Sequence, residues 1–198
     1  MKRNRMLLTL AIALPIGATI FWFASTSRAA TETPDYKVIR SDDKFEIRDY
    51  PALTLAGTSM EGADMDGSFM RLFRFISGSN ETAEKISMTT PVLIDTTPEK
   101  RTMSFIMPGK MVGKGVPRQS GGDVAMGRVE AARFAVLRFG GGRSAEHEEK
   151  AVATLKARLE AEKLTAKGSP LCAYYDPPWT PVFLRRNEVL IRIQKNAQ

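Results

Sequence analysis

The 198-residue chain has little of what catalytic and metal sites are most often built from: Cys172 is its one cysteine and His147 its one histidine. An intrachain disulfide is excluded, and so is a zinc site assembled mainly from thiolates and imidazoles. A serine or cysteine hydrolase would have to take His147 as its base, and the chain has no G-x-S-x-G elbow. H-E-x-x-H, C-x-x-C, the Walker lysine loop and G-x-G-x-x-G are also missing, so enzymatic readings start at a disadvantage. Acidic residues are absent before Ala30, where four of the 29 basic ones lie (Lys2, Arg3, Arg5 and Arg28). The net charge of +7 therefore falls to +3 after that point, 25 basic against 22 acidic residues. The basic balance belongs largely to the amino terminus and does not point to nucleic acid as a partner.

What is present begins with Met6–Ala24, 19 uncharged and mostly apolar residues behind the basic Lys2, Arg3 and Arg5. At about 1.5 Å per helical residue such a run reaches roughly 29 Å, close to the hydrocarbon thickness of a bilayer. Ser27-Arg28-Ala29-Ala30 supplies small residues where a signal peptidase would cut. Residues 1–30 are read as a signal peptide or membrane anchor and residues 31–35 as a linker. The body, residues 36–195, is then expected in the periplasm, either soluble after cleavage or tethered to the inner membrane, because basic residues stay on the cytoplasmic side.

Along the body, Tyr36–Ile39 and Phe45–Arg48 read as a hairpin across Ser41-Asp42-Asp43, and Leu53–Gly57 as a third strand. From Asp66, a plausible N-cap, the period changes: Phe69, Leu72, Phe73 and Ile76 form one face of a helix that Gly78 ends. Lys85–Ile94 looks extended, with Pro91 restricting it to an edge or bulge, and Thr102–Met107 is the next strand. Pro108–Asp123, rich in glycine, reads as a mobile surface loop. Arg133–Phe139 is a strand closed by three glycines. Ser144 then caps a helix reaching about Leu164, with Val152, Leu155 and Leu159 on its apolar stripe, stopped by Gly168 and Pro170. Leu171–Tyr175 is extended, and Val182–Leu184 is expected to pair with Val189–Ile193 as a terminal hairpin. Strand, helix and strand recur between about 45–94 and 131–193, and Thr90-Pro91-Val92 recurs as Thr180-Pro181-Val182. The pattern predicts an α+β fold of duplicated β-α-β halves.

From Tyr36 to Lys195 the sequence resembles the SOUL haem-binding protein family. The resemblance rests on an ordered set: Phe45-Glu46-Ile47-Arg48 with Tyr50-Pro51, Gly78-Ser79-Asn80, Lys85-Ile86-Ser87-Met88-Thr89-Thr90-Pro91-Val92, Tyr175-Asp176-Pro177-Pro178 and Arg186-Asn187-Glu188-Val189. It implies an eight-stranded distorted barrel or twisted antiparallel sheet with two flanking helices. It also implies non-covalent binding of haem or another tetrapyrrole in an apolar groove, rather than a reaction. The positions matching the family's porphyrin-facing residues on the first helix are Phe69 and Phe73, and some members carry methionine there, which adds Met70. A porphyrin offers two broad apolar faces that aromatic and thioether side chains cover, while a nearby cation meets its carboxylates. Arg71 and Arg74 are the candidate cations. Helical periodicity alone gives Phe69 and Phe73 the duller role of packing on the sheet.

His147 falls about 110° from the middle of its helix's apolar stripe, a solvated position, and no histidine matches the axial ligand of some family members. Histidine ligation of iron is therefore not expected. Tyr50, Tyr174, Tyr175, Cys172 and the methionines remain as weaker ligands, so the metal site stays unknown. Two other functions are kept. The fold also resembles GyrI-like domains that accommodate amphipathic small molecules. An enzyme would use Glu46 or Glu188 as general base, although each can simply pair with an arginine.

Overall fold

A computed structural model describes residues 31–62, 64–97, 100–112, 115–118 and 121–194. The segment read as signal peptide or anchor, residues 1–30, lies outside the described residues. Among the described residues there are nine strands: β1 (Lys37–Asp42), β2 (Phe45–Tyr50), β3 (Leu53–Ser59), β4 (Val92–Asp95), β5 (Thr102–Ile106), β6 (Ala125–Val129), β7 (Ala132–Phe139), β8 (Ala166–Tyr174) and β9 (Asn187–Ile193). Helix α1 (Met65–Ile76) connects β3 to β4, the single turn α2 (Gly109–Val112) follows β5, and α3 (Ala145–Ala161) connects β7 to β8. All strands join one antiparallel sheet in the order β1-β2-β7-β9-β8-β4-β5-β3-β6, which stays open rather than closing into a barrel.

That order explains the repeat. The run β2-β3-α1-β4-β5 corresponds element for element to β6-β7-α3-β8-β9, and β4 and β8 pair at the centre, from Val92 opposite Tyr174 to Asp95 opposite Leu171. In each half the leading strand crosses over: β2 pairs with β7 of the other half and β6 with β3. Eight strands thus obey a pseudo-twofold, and β1 is added at the edge as the hairpin partner of β2, turning at Asp43 with φ 51°. Among the described residues, the strand pairings of the sheet run from Lys37 to Ile193.

Several sequence expectations are corrected. Val182–Leu184 is a 3-10 turn, not a strand, so the terminal hairpin does not form. β9 instead inserts between β7 and β8, where six of its seven residues are buried, as a strand covered on both faces must be. Thr180-Pro181-Val182 is accordingly not the counterpart of Thr90-Pro91-Val92, which leads into β4. The stretch before Val92 forms no strand. Gly168 and Pro170 do not stop a helix: α3 ends at Ala161, and both residues lie in β8 at a register shift between Lys167 and Leu171 that accommodates the missing proline N–H. The expected loop Pro108–Asp123 contains α2. Within residues 31–35, read as a linker, the Glu32 carbonyl accepts from Thr90 N at 2.8 Å and its carboxylate from Gly109 N at 2.9 Å.

Both long helices lie on one face of the sheet. Leu72, Phe75 and Ile76 of α1 and Ala151, Leu155 and Leu159 of α3 bury against Phe105, Ile94, Cys172 and Ile191. The N-cap of α1 is Asp64, accepting from Gly67 N at 2.7 Å; Asp66, the expected cap, sits in the first turn, where its charge still opposes the helix dipole. At about 100° per residue, Phe69 and Phe73 lie about 60° and 100° from Leu72 on the opposite side from Phe75. Phe75 therefore takes the core position expected for Phe73, and Phe69 and Phe73 flank the buried stripe.

Candidate functional site

Along that flank of α1 runs a groove of ≈ 520 Å³, within the range of small-molecule sites. Its first wall is Met65, Phe69, Met70 and Phe73. The second is Met88, Thr90 and Val92 on the approach to β4, together with Tyr174 and Tyr175 at the end of β8 and the Pro177-Pro178-Trp179 loop. The Phe69 and Phe73 rings stack with centroids 6.1 Å apart and planes 14° from parallel, and Phe69 also meets Phe105 edge-on at 5.3 Å. Phe69 is thereby fixed from behind, whereas Phe73 remains 42% exposed. A flat, apolar ligand finds aromatic and thioether surface on both sides.

The cation of this groove is Arg143, which sequence reasoning missed. It lies between Gly142 and the α3 cap Ser144, its Nη2 donates to the Asp176 carbonyl at 2.7 Å, and its guanidinium stands 4.9 Å from the centre of the Tyr174 ring. Burial, reinforced by Arg185 and moderated by Tyr174 and by Asp176 and Asp66, which also line the groove, pulls its pKa below the ordinary arginine value, yet a guanidinium stays charged. Arg143 and Met65 also line a second, polar hollow of ≈ 590 Å³ that holds Lys100, Arg101 and Glu148. It thus marks the boundary between apolar and polar space.

Arg71 and Arg74 are placed elsewhere. Arg71 Nη2 donates to the Ser59 carbonyl at 2.7 Å and Arg74 Nε to the Met70 carbonyl at 3.3 Å, and neither lines the groove. Of the five residues singled out by sequence, the structure brings Phe69, Met70 and Phe73 together and leaves the two arginines outside. The sequence did carry a signal for Arg143: a basic residue wedged between three glycines and a helix cap has its position set by the backbone. What lies opposite it could not be read.

The possible iron ligands sort equally clearly. His147 is exposed, its Nδ1 within 3.0 Å of both the Gly142 carbonyl and Ser144 Oγ, and it does not line the groove. Cys172 is fully buried in the core, and burial, with the field of Glu148, pushes its thiol up to about 12. Tyr50 lies outside the groove. Tyr174 and Tyr175 do line it, but their hydroxyls donate to Glu148 and Glu188, and burial with those carboxylates pushes both phenols up, so neither is a ready phenolate. The donor set fits a porphyrin held by its faces, with methionine thioethers the only uncommitted soft groups along the described walls. No cluster of metal-binding side chains occurs among the described residues.

Glu46 and Glu188 belong to a separate network on the opposite face of the sheet. Fully buried Arg48 donates Nε to Glu46 at 2.7 Å and its two terminal nitrogens to Glu188 at 2.7 and 3.0 Å, while Arg186 Nε donates to Glu188 at 3.0 Å. Burial opposes the Glu188 charge, but the Arg48 hydrogen bonds and the fields of Arg186 and Arg48 outweigh it and hold the carboxyl below its usual range. Neither glutamate lines the groove; both are tied up in structural pairs.

The profile of the SOUL heme-binding protein family matches residues 31–192. The chain belongs to that family. Heme-binding protein 1 of Xenopus tropicalis is 27% identical over 175 residues, covering 80% of this chain and 90% of its own. Heme-binding protein 2 of Homo sapiens is 31% identical over 184 residues, covering 84% and 88%. Among solved structures, the C-terminal domain of EcmrR superposes with a TM-score of 0.57 at 13% identity over 81% of this chain and 98% of its own, which shows a shared fold. Membership of the SOUL family supports haem binding, the property by which the family is described.

Proposed function

We propose that this SOUL protein is exported to the periplasm and there captures, buffers or delivers haem or a related tetrapyrrole, held non-covalently and without a histidine ligand. The observation that carries the reading is the join of the Phe69–Met70–Phe73 wall to Arg143: an apolar slot whose polar end holds a cation suits a flat ring with carboxylates on one edge. Each large apolar side chain covered contributes roughly 1.5–3 kcal/mol, so a few contacts reach micromolar affinity without an iron bond. Haem brings its own iron; the protein binds, orients and shields the ring.

The test is a titration of residues 31–198 with hemin and with iron-free protoporphyrin. A saturable Soret change with hemin, unchanged in His147→Ala, is expected. Absence of saturable binding for both ligands overturns the reading, and tighter binding of unrelated apolar cations would move the protein to a general amphipathic-ligand role.

A further inference from the structure

Beside the groove lie apolar side chains that a ligand inside it does not reach. Eight large apolar residues are exposed among the described residues, and five of them sit on the two flanking segments: Met70 and Phe73 on α1, and Trp179, Val182 and Phe183 on the loop between β8 and β9. Trp179 is 74% exposed and Phe183 84%. Trp179 forms part of the groove wall, but Val182 and Phe183 do not, so filling the groove leaves them in water.

This loop presents those side chains on a firm support. Thr180 N donates to the Pro177 carbonyl, Leu184 N to the Pro181 carbonyl, and Arg185 Nε to the Thr180 carbonyl at 2.7 Å. From Pro177 to Arg186 there is no acidic residue, three prolines remove backbone donors, and two arginines stand at the base. An aromatic tip with few N–H groups to strip of water is the chemistry that settles at a bilayer interface, its rings among the headgroups and upper acyl chains.

The chain's entry point supplies the second argument. Thr31 lines the same groove, and the apolar run Met6–Ala24 ends seven positions before it. Seven extended residues reach at most about 25 Å. A bilayer holding Met6–Ala24 therefore keeps the groove mouth close to its surface, where the tether raises the effective concentration of any weak surface contact.

We propose that the Trp179–Val182–Phe183 tip docks on the phospholipid surface in which Met6–Ala24 is inserted, so that the groove opens at headgroup level and an apolar ring exchanges between lipid and protein. The proposal rests on the exported, tethered form of the reading above and not on the identity of the groove ligand.

Because Trp22 and Trp179 are the chain's two tryptophans, each membrane contact can be read by itself. The full chain is reconstituted into phosphatidylethanolamine–phosphatidylglycerol vesicles with brominated acyl chains, as Trp179→Phe (Trp22 reporting the tether) and as Trp22→Phe (Trp179 reporting the tip). Both are expected to lose about half their emission or more relative to unbrominated vesicles, with Trp179 quenched most by bromines nearest the headgroups and released by an added Phe183→Ser. Quenching of Trp22 with none of Trp179 overturns the proposal. A Trp179 blue shift that follows protein density without quenching assigns the tip to a second copy instead, and also overturns it. Quenching of neither removes the tether and the proposal together, while the hemin titration is untouched by all three outcomes.

Discussion

Replacing Phe73 with alanine separates a ligand wall from a helix merely packed on its sheet. A phenylalanine side chain presents on the order of 200 Å². With 42% of Phe73 exposed, about 85 Å² is open to a ligand. At ~25 cal/mol per Å², covering all of it is worth about 2 kcal/mol and covering half about 1 kcal/mol. The expected loss of hemin affinity is thus roughly 5- to 30-fold. Fold stability should fall by roughly 2–3 kcal/mol, because the remaining ~115 Å² of the side chain is buried on the helix flank, part of it in the ring pair with Phe69. Leu72→Ala supplies the contrast. Leu72 is fully buried one position away, so its truncation should cost about 2–5 kcal/mol of stability and leave the affinity of the folded protein unchanged. The measurement is a Soret titration with urea unfolding on the same preparations. Wild-type affinity in Phe73→Ala, or an affinity loss confined to Leu72→Ala, would show that no ligand lies along this flank of α1.

Two further perturbations address the charged groups. If Arg143 meets a ligand carboxylate, wild type should bind hemin roughly tenfold more tightly than hemin dimethyl ester, the worth of one charge-assisted hydrogen bond. That gap should close in Arg143→Ala and persist in Arg71→Ala and Arg74→Ala; the reverse pattern would return the role to α1. On the other face, Glu188→Gln leaves Arg48 buried with one fewer counter-charge and should cost about 3–5 kcal/mol, whereas Arg48→Met with Glu188→Leu should cost less. Because the folded-state pKa of Glu188 is depressed, its contribution is complete above the ordinary carboxylate value of 4.5 and is lost as pH falls through the lower folded value. Urea midpoints should therefore drop on acidification below about pH 4.5 in wild type and drop less in Glu188→Gln. Parallel slopes would refute the assignment.

What the sequence revealed and what it hid follow from range. β2, β3, β7 and α3 were legible because each carries its own period, and the cap Ser144 was legible because capping is a local bond. β6 escaped because Ala125–Val129 is an edge strand whose residues are almost all exposed, so no face is marked by hydrophobicity. The terminal hairpin failed for the opposite reason: β9 is buried along nearly its whole length, and nothing in such a strand says that its neighbours are β7 and β8 rather than the nearest short apolar run. The site shows the same division. Phe69, Met70 and Phe73 share a helix, so periodicity groups them; Arg143 reaches the groove only because β8 and the following loop come back against the start of α3.

The pseudo-twofold sharpens what counts as function in this fold. Two halves of the same topology face the same selection for a buried stripe, and both helices meet it, with Leu72 and Ile76 in one and Leu155 and Leu159 in the other. Their outer surfaces differ. Exposed positions on α3 include Glu149, Lys150, Lys156 and Glu160, an ordinary solvated face, whereas α1 exposes Met70 and Phe73 beside an open groove. Folding requires the first pair of stripes and gives no reason for the second surface, since apolar groups left in water contribute nothing to stability. The departure from symmetry, not the duplicated frame, is therefore what marks the proposed binding flank, and a swap of Met70 and Phe73 for the charged residues of α3 would be expected to leave a stable protein with an empty groove.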